Sequence, residues 1–463
     1  MLSLKLKEIV EAVDGKINQG NPEHVVNNLT IDSRRVKPGD LFFAIIGENN
    51  DGHNFIPEAV NNGAKIVITS RSIKPYSGVA IVLVRDTTTA LQDLAALVRE
   101  KISDLKVVGI TGSAGKTTTK DIMASIISQE RKVLKSKGNF NNEYGLPLSI
   151  LDLEGNEEVA ILEMAMRHKG DISRLAEIAR PGIGVITNIG PAHLENLKTI
   201  ENVASAKSEL LTGLEAGGIA VLNYDDEYIR KMVNEFKDLN KITISLKDEN
   251  VDYYADQIEF IKDGEESRFR VHEKDDEYTL EMDRAGEHNI YNALAAIAVA
   301  RVLNISWDSI KNGLKDIEVS ELRQEIRKMD GIKIINDSYN ANPLSMKAGI
   351  DSLINIESKR KIAVLGAMLE LGRIENAAHR EIGKYLYKNG IDVLVGVGSM
   401  GEIIAEGASE VGMTEQNIYV YKSNEDAASF LNKIMKSGDA ILVKGSRALE
   451  MEEIVDLLME YGG

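Results

Sequence analysis

The stretch Gly112-Ser113-Ala114-Gly115-Lys116-Thr117-Thr118-Thr119 decides the fold of the middle of this chain. It follows the apolar run 107–110, which predicts a buried parallel strand. It precedes residues 121–127, whose apolar spacing predicts a helix. A strand, a glycine-rich turn and a helix that opens with Lys-Thr form the layout of a phosphate-binding P-loop. Ile110 stands where the usual pattern has glycine, so this loop is a Gly-x-x-Gly-Lys-Thr variant.

The chemistry of such a loop follows from its backbone. Glycines allow the N–H groups to curl inward, and the N-terminus of the helix adds a partial positive charge. Lys116 would then reach the β- and γ-phosphates of a nucleotide, and the Thr117 hydroxyl would bind Mg²⁺. The alternative is an ordinary glycine turn that caps a core helix. The strand before the loop and the helix after it favour the phosphate site.

Length and composition limit the classes of protein to consider. A chain of 463 residues predicts two to four domains. The net charge of −17 argues against unspecific binding to nucleic acid or to anionic membranes. The chain has no cysteine, which excludes disulfides, thiolate zinc sites and cysteine nucleophiles. No stretch has the ~20 apolar residues of a membrane span, and residues 1–7 lack a signal peptide pattern, so we expect a cytoplasmic protein.

The order of strands and helices predicts an α/β protein with three domains. Residues 1–85 would form a small N-terminal domain, and residues 86–319 a central P-loop domain with a parallel sheet. Residues 252–282 alternate in a way that predicts an antiparallel addition to that sheet. Residues 320–463 repeat a strand–helix rhythm with five strands, which predicts a Rossmann-like C-terminal domain.

Polar residues follow several predicted strands, where ligands bind in open α/β sheets. Glu163 ends the strand 159–162 and is a candidate ligand of a nucleotide-bound metal. His193 follows the next strand and could bind a second Mg²⁺ or orient its water, although a lone histidine is usually structural. Lys207 lies among small residues of a predicted helix, where a buried lysine is costly unless it is paired.

Further candidates lie in two other places. Asn289 and Asn292 are three residues apart on a predicted helix, and their amides suit a purine edge, although Asn289 could instead cap the helix. In the C-terminal domain, residues 337–343 follow the first strand and residues 445–447 follow the last. These polar clusters predict a substrate-facing edge.

Taken together, the chain resembles the Mur ligase family of cell-wall peptide ligases. The stretches that carry this resemblance lie in all three domains: Asp32-Ser33-Arg34 with Asp51-Gly52-His53, residues 111–118, residues 188–195 with Ala206-Lys207, Gly286-Glu287-His288-Asn289 with Asn292, and Asn336-Asp337-Ser338-Tyr339-Asn340-Ala341-Asn342-Pro343. The last of these, with Leu369-Glu370-Leu371-Gly372, favours the member that adds D-alanyl-D-alanine.

The resemblance implies an ATP-dependent ligase of peptidoglycan synthesis that forms carbon–nitrogen bonds. Its partners would be UDP-N-acetylmuramoyl-tripeptide and D-alanyl-D-alanine, joined through an acyl phosphate. It implies two Mg²⁺ sites and an N6-carboxylysine, which is a carbamate formed from CO₂, at Lys207. We expect a monomer without nucleic-acid partners or membrane insertion, whose third domain closes on ATP.

The resemblance also implies a role for each matching residue. The catalytic residues would be Lys116, Lys207, His193 and Glu163, and the metal ligands Thr117, Glu163, His193 and carbamylated Lys207. ATP would contact Gly112, Ser113, Ala114, Gly115, Lys116, Thr117, Thr118, Asn289, Asn292, Arg323 and Asp337. The substrates would contact Asp32, Ser33, Arg34, Gly52, His53, Asn141, Asn142, Asn340, Asn342, Lys444 and Ser446.

Two departures and three alternatives remain at this point. Ala165 stands where the family has glycine, and Ala367 stands where it has aspartate. Another Mur-type ligase that adds diaminopimelate or lysine, or a folylpolyglutamate or cyanophycin ligase, is the nearest alternative. A P-loop GTPase or ATPase switch is an alternative of a different class, but no guanine-reading Asn-Lys-x-Asp follows a strand. A non-catalytic binding scaffold is the third.

Overall fold

The computed structural model describes residues 1–461, which form four sheets with helices packed against them. The N-terminal elements are β1 (Leu4–Lys5), α1 (Leu6–Ala12), β2 (Lys16–Gln19), β3 (Val25–Val26), β4 (Leu29–Thr30), β5 (Leu41–Phe43), α2 (Ile56–Asn61), β6 (Ile66–Thr69) and β7 (Ala80–Leu83). Strands β1 and β3 form a small antiparallel pair. The other five form a sheet in the order β2-β7-β6-β5-β4, which is parallel except for β2.

The central part holds the P-loop. Its first elements are α3 (Thr87–Glu100), β8 (Lys106–Thr111), α4 (Lys116–Ile127), β9 (Val133–Lys135), α5 (Gly145–Leu151), β10 (Val159–Glu163), α6 (Asp171–Ala179) and β11 (Ile183–Ile186). The next are α7 (Leu194–Leu197), α8 (Ile200–Thr212), β12 (Ile219–Asn223), α9 (Glu227–Glu235) and β13 (Asn240–Ser245). The last are β14 (Tyr253–Ile261), β15 (Glu266–Glu273), β16 (Asp276–Met282), α10 (Glu287–Val302) and α11 (Trp307–Lys315).

These strands form one nine-stranded sheet in the order β16-β15-β14-β13-β12-β11-β8-β10-β9. Pairing is parallel from β9 to β14. Strands β14, β15 and β16 pair antiparallel, as the alternating sequence of residues 252–282 predicts. The strand β8 lies inside the sheet, between β10 and β11, and five of its six residues are buried. The carboxyl ends of these neighbouring strands therefore meet beside the P-loop.

The C-terminal part is a second α/β layer structure. Its elements are β17 (Glu325–Met329), β18 (Ile332–Asn336), α12 (Pro343–Asn355), β19 (Arg360–Leu365), α13 (Glu375–Lys388), β20 (Val393–Val397), α14 (Gly398–Glu410), β21 (Ile418–Tyr421), α15 (Asn424–Ile434), β22 (Asp439–Lys444) and α16 (Glu452–Tyr461). The sheet order is β17-β18-β22-β19-β20-β21, with five parallel strands as predicted. The sequence analysis missed β17, which pairs antiparallel with β18 at the edge.

Apolar side chains cover both faces of the central and C-terminal sheets. One cluster is continuous from the N-terminal sheet, through α3, to one face of the central sheet, so these two parts pack tightly against each other. We propose the predicted boundaries near residues 85 and 319, because each falls between two of the sheets. No helix among residues 1–461 combines the length and apolar content needed to cross a bilayer.

Candidate active site

A cavity of about 1750 Å³ lies where the three parts of the chain meet. The central part contributes residues 113–118 of the P-loop, together with Glu163 and His193. The C-terminal part contributes residues 339–342 and other strand-end side chains, and the N-terminal part contributes residues 47–50. The carboxyl ends of parallel strands in two sheets therefore face one space, which is where α/β proteins bind ligands.

The P-loop connects β8 to α4 in the way the sequence predicts. Gly115 caps the helix with a φ of 81°, a left-handed conformation that glycine adopts without strain. A Cβ atom there would lie 2.5 Å from Oδ1 of Asn292, so glycine is also required for close packing. The Lys116 ammonium donates to the carbonyl oxygen of Gly112 at 2.8 Å, and its burial lowers its pKa. The loop thus presents the first N–H groups of a helix and a nearby lysine to the cavity, as phosphate binding requires.

Glu163, at the end of β10, is held beside the P-loop helix. One carboxylate oxygen accepts a hydrogen bond from the Thr117 hydroxyl, and the other accepts one from the Asn141 amide, each at 2.8 Å. Burial would raise the pKa of Glu163, but the positive charges of Lys116 and Arg323 outweigh it and hold the pKa below its usual range. The side chain is therefore an ionised carboxylate, 2% exposed, in contact with a hydroxyl. Both are oxygen ligands that Mg²⁺ prefers.

Lys207 lies on α8 and is almost fully buried. Burial, and then the nearby charge of Lys116, lower its pKa well below the usual value, whereas Glu163 opposes this shift. No hydrogen bond among residues 1–461 offsets the cost. Burial thus favours the neutral amine over the ammonium, and the neutral amine is the form that can act as a nucleophile.

His193 begins the short helix α7 with a left-handed φ of 55°. Its Nδ1 atom lies 2.5 Å from a carboxylate oxygen of Glu370, which comes from the C-terminal part. This hydrogen bond is the main cause that lowers the pKa of Glu370. The histidine thus connects the central sheet to the opposite wall of the cavity.

The two asparagines of α10 line the cavity but are buried and bonded to each other. The Asn292 amide donates to Oδ1 of Asn289 at 3.3 Å, and Oδ1 of Asn292 accepts from the Thr119 hydroxyl at 3.2 Å. The Asn289 amide donates to the carbonyl of Ala285 at 2.7 Å. These bonds hold α10 against α4, and the predicted contact with adenine stays a prediction.

The predicted residues of the C-terminal part come together at one edge of its sheet. Lys444 is buried and donates to the Asp337 carboxylate at 2.6 Å and to the carbonyl of Asn340 at 3.0 Å. The Arg323 guanidinium lies 4.0 Å from the centre of the Tyr339 ring, a cation–π contact. Ser446 accepts a hydrogen bond from the N–H of Leu369. All of these predicted residues line the cavity: Arg323, Asp337, Asn340, Asn342, Lys444 and Ser446.

The predicted residues of the N-terminal part do not line the cavity, which is bordered there by residues 47–50. These residues are Asp32, Ser33, Arg34, Gly52 and His53. Asp32 accepts from Arg34 and caps a short 3₁₀ turn. His53 lies 2.7 Å from Asp51 and accepts from the N–H of Ser70, so its ring supports the loop. Asn142, in the central part, does line the cavity, and its Oδ1 accepts from the N–H of Gly145 at the start of α5. Their substrate contacts stay predictions.

The side chains near the P-loop supply only some of the ligands that a divalent ion needs. Among residues 1–461, no three histidine, aspartate or glutamate side chains come together as a ready metal site. Glu163, Thr117 and His193 nevertheless supply oxygen and imidazole ligands around one cavity. A carbamate on the amine of Lys207 would add a further carboxylate, and phosphate oxygens would add more. This donor chemistry suits Mg²⁺, which is bound by few protein carboxylates together with substrate phosphates.

Comparisons with known proteins agree with this arrangement. Family models match residues 25–99 (Mur ligase family, catalytic domain), 110–300 (Mur ligase middle domain) and 322–447 (Mur ligase, glutamate ligase domain). The UDP-N-acetylmuramoyl-tripeptide–D-alanyl-D-alanine ligase of Bacillus subtilis (strain 168) is 36% identical over 468 residues, which cover 99% of each protein. The chain belongs to the Mur ligase family. The predicted ligase chemistry is thereby confirmed.

Solved structures of Mur ligases have the same fold. A crystal structure of MurF from Acinetobacter baumannii superposes with a TM-score of 0.91, at 30% identity and 99% coverage of both chains. The structure of MurF ligase from Thermotoga maritima in complex with ADP superposes with a TM-score of 0.83, at 32% identity, and covers 94% of this chain and 98% of that one. These likenesses confirm the predicted three-domain α/β architecture.

Sequence reasoning missed several residues of this Mur ligase cavity. Glu48 and Arg167 form an ion pair of 3.1 Å between the N-terminal and central parts. Tyr339 and Glu370 lie inside quoted motifs, but no role was predicted for either. Neither the ion-pair partner of Glu48 nor that of Glu370 is near it in the chain, so the sequence offered no local signal for these contacts.

Proposed function

We propose that this Mur ligase joins D-alanyl-D-alanine to UDP-N-acetylmuramoyl-tripeptide in peptidoglycan precursor synthesis and uses ATP to do so. The observation that carries the proposal is the shared cavity, in which the P-loop faces the strand ends of the C-terminal sheet. The similarity to D-alanyl-D-alanine ligases over 99% of the chain supports the choice of substrates. The ADP bound to the Thermotoga maritima relative supports a nucleotide in this cavity. Because ATP is an intracellular substrate, we place the reaction in the cytoplasm, with a monomer as the working form.

The P-loop and its neighbours would bind the triphosphate. The N–H groups at the start of α4 and the Lys116 ammonium would contact the β- and γ-phosphates. Asn289 and Asn292 would face the base, and Arg323 and Asp337 would contact the nucleotide from the C-terminal side. A triphosphate there would break the bond between Lys116 and Gly112 and replace it with contacts of opposite charge.

Thr117, Glu163, His193 and carbamylated Lys207 would hold two Mg²⁺ ions. Bound Mg²⁺ supplies charge neutralisation at a transferring phosphoryl group. Two features of this chain support the assignment: Glu163 is ionised although it is buried, and burial lowers the pKa of Lys207 well below the usual lysine value. CO₂ adds only to the neutral amine, and the carbamate would convert a costly buried base into an anion beside cations.

The reaction would proceed in two steps, phosphoryl transfer and then amide formation. A carboxylate oxygen of the tripeptide attacks the γ-phosphorus of ATP, and the bridging bond to the β-phosphate breaks, which yields an acyl phosphate and ADP. The amino nitrogen of D-alanyl-D-alanine then attacks the acyl carbon, and the bond to phosphate breaks. The amine loses a proton as the amide forms. Lys116 stabilises negative charge during the first step, and most of the rate gain comes from alignment and electrostatics.

The substrate contacts are divided among the three parts. Asp32, Ser33, Arg34 and the loop at Gly52-His53 would bind the uridine part. Asn141 and Asn142 would lie near the sugar and peptide, and Asn141 is already within the cavity beside Glu163. Asn340, Asn342, Lys444 and Ser446 would lie near the incoming dipeptide.

The test is a coupled ADP-release assay with the full chain, ATP and UDP-N-acetylmuramoyl-tripeptide. We expect turnover with D-alanyl-D-alanine and none with single amino acids. Turnover that requires a single amino acid would assign another Mur-type ligase, and ADP release without any acceptor would indicate a nucleotide switch. Lys116→Ala should abolish ADP release, whereas the matched control Lys106→Ala, an exposed residue at the start of β8, should not.

A further inference from the structure

The contact between His193 and Glu370 joins two unusual residues. Both have left-handed backbones although neither is glycine, with φ of 55° and 63°. Their side chains meet at 2.5 Å, and the N–H of Glu195 donates to the carbonyl oxygen of Glu370 at 3.1 Å. Non-glycine residues adopt this conformation at an energetic cost, and such residues concentrate at functional sites. This backbone strain occurs in both parts of the chain, at His193 in the central part and at Glu370 in the C-terminal part.

The loop that carries Glu370 is held in place by its own domain. The N–H of Met368 donates to Nε2 of His379 at 2.8 Å, and the N–H of Leu369 donates to the Ser446 hydroxyl at 2.9 Å. The N–H of Ser446 donates to the carbonyl of Ala367, also at 2.9 Å. The loop therefore holds the carboxylate of Glu370 in a fixed place within the C-terminal part. Whether this carboxylate reaches His193 depends on how the C-terminal part is docked.

The hydrogen bond also decides which nitrogen of His193 carries the proton. A carboxylate only accepts, so Nδ1 must be the donor, and in a neutral ring Nε2 then keeps its lone pair. Among residues 1–461, Nε2 of His193 takes part in no hydrogen bond, and the ring lines the same cavity as Glu163 and Thr117. A metal-binding histidine commonly has this arrangement, with one nitrogen on the metal and the other bonded to a carboxylate.

We propose that Glu370 is a positioning residue, which fixes His193 so that Nε2 is offered to a divalent cation. Because Glu370 belongs to the C-terminal part, the cation site is complete only when that part is docked. Docking and cation binding are therefore coupled, and by linkage each favours the other. This inference rests on the proposed metal site of the ligase, but not on which amine the enzyme adds.

The test measures Mn²⁺ binding to the full chain by electron paramagnetic resonance, with a nonhydrolysable ATP analogue present. Loss of the carboxylate in Glu370→Ala should weaken Mn²⁺ binding about 10- to 100-fold. Glu370→Gln should lose less, because its amide oxygen still accepts from Nδ1. The matched control Glu195→Gln removes an equal charge from the exposed side of α7 and should bind like the wild type. Equal Mn²⁺ affinity of Glu370→Ala and wild type would overturn the proposal.

A second measurement separates positioning from a simple loss of stability. ¹⁵N NMR of the imidazole, assigned by difference from His193→Gln, should show a protonated Nδ1 in the wild type and a mixture of tautomers in Glu370→Ala. An unchanged tautomer in that variant would also overturn the proposal. If the wild type binds Mn²⁺ no better than His193→Ala, the metal site and this inference fail together. If the wild type catalyses the ligase reaction but Glu370→Ala binds Mn²⁺ as tightly as the wild type, this inference fails and the proposed function does not.

Discussion

The Asn342 amide donates to the main-chain carbonyl of Ser113 at 2.9 Å, which joins the C-terminal part directly to the P-loop. The same side chain caps α12, since its Oδ1 accepts the N–H of Ser345. One residue thus starts a helix in one domain and holds the phosphate loop of another. The Asn342 amide therefore joins the P-loop directly to the first helix of the C-terminal part.

Replacing this amide should separate its two roles. Asn342→Asp keeps an oxygen for the cap but places a second oxygen against the Ser113 carbonyl, so the bond between the domains is lost. We expect the melting temperature to change little and the KM for ATP to rise about 5- to 10-fold, as the loss of one hydrogen bond of about 1 kcal/mol implies. Asn342→Ala should also lower the melting temperature, because a lost cap costs about 1 kcal/mol. A wild-type KM in Asn342→Asp would contradict this account.

The tip of the hairpin β14–β15 forms a further connection between these domains. Gly264 has a φ of 81°, and a Cβ atom there would lie 1.9 Å from the carbonyl oxygen of Asn355 on α12. The N–H of Glu357 donates to the carbonyl of Asp263, and Lys333 pairs with Glu265 at 2.9 Å. The antiparallel strands β14 and β15 thus contact the C-terminal part, and Gly264 allows the hairpin backbone to approach Asn355 closely.

Gly264→Ala should therefore loosen the two domains. The matched control is Gly217→Ala, which has nearly the same φ of 79° but no atom within 4 Å of the added Cβ. The control carries only the strain of a left-handed alanine, about 1 kcal/mol. We expect Gly264→Ala to melt several degrees below the control and to have a larger radius of gyration in small-angle X-ray scattering. Identical scattering of the two variants would show that the hairpin tip does not hold the domains.

Local patterns in the sequence predicted those parts of the site that follow from one stretch of chain. The P-loop, Glu163 at a strand end and the buried Lys207 were found because spacing and neighbours define them. The pairs that cross between domains were missed, such as Glu370 with His193, because their partners are about 180 residues apart and only tertiary packing joins them. The edge strand β17 was missed because three of its five residues, Glu325–Met329, are charged and it lacks an apolar run.

Lys207 should be essential as a carbamate and not as a cation. Because burial lowers its pKa, the neutral amine that reacts with CO₂ is favoured over the ammonium. Lys207→Ala should lower kcat by at least about 100-fold, and short carboxylic acids such as formate or acetate should restore part of it by supplying the missing carboxylate. A ¹³C NMR carbamate signal from labelled bicarbonate should be present in the wild type and absent in the variant. Full activity of Lys207→Ala would exclude this role.

His379 should make the C-terminal domain sensitive to acid. It is fully buried, donates from Nδ1 to the carbonyl of Glu375 at 2.7 Å and accepts from Met368 at Nε2. Burial lowers its pKa from the ordinary 6.5, so below pH 6.5 the unfolded chain binds a proton that the folded chain does not. Stability is then fully present above pH 6.5 and falls as the pH drops towards the lowered folded-state pKa, by up to about 1.4 kcal/mol per pH unit.

The predicted loss of stability at low pH can be measured as a difference between the melting temperatures of the wild type and a His379 variant. His379→Gln should melt below the wild type at pH 7.5, because it loses a fitted pair of hydrogen bonds, and the gap should shrink towards pH 5.5 because glutamine does not titrate. His168→Gln is the matched control, since its ring is exposed and its pH profile should run parallel to the wild type. A constant gap for His379→Gln would mean that the imidazole has the same pKa in the folded and the unfolded chain, so that protonation of Nε2 and loss of its bond to Met368 cost no stability. The loop that delivers Glu370 to His193 would then be held by something other than this ring.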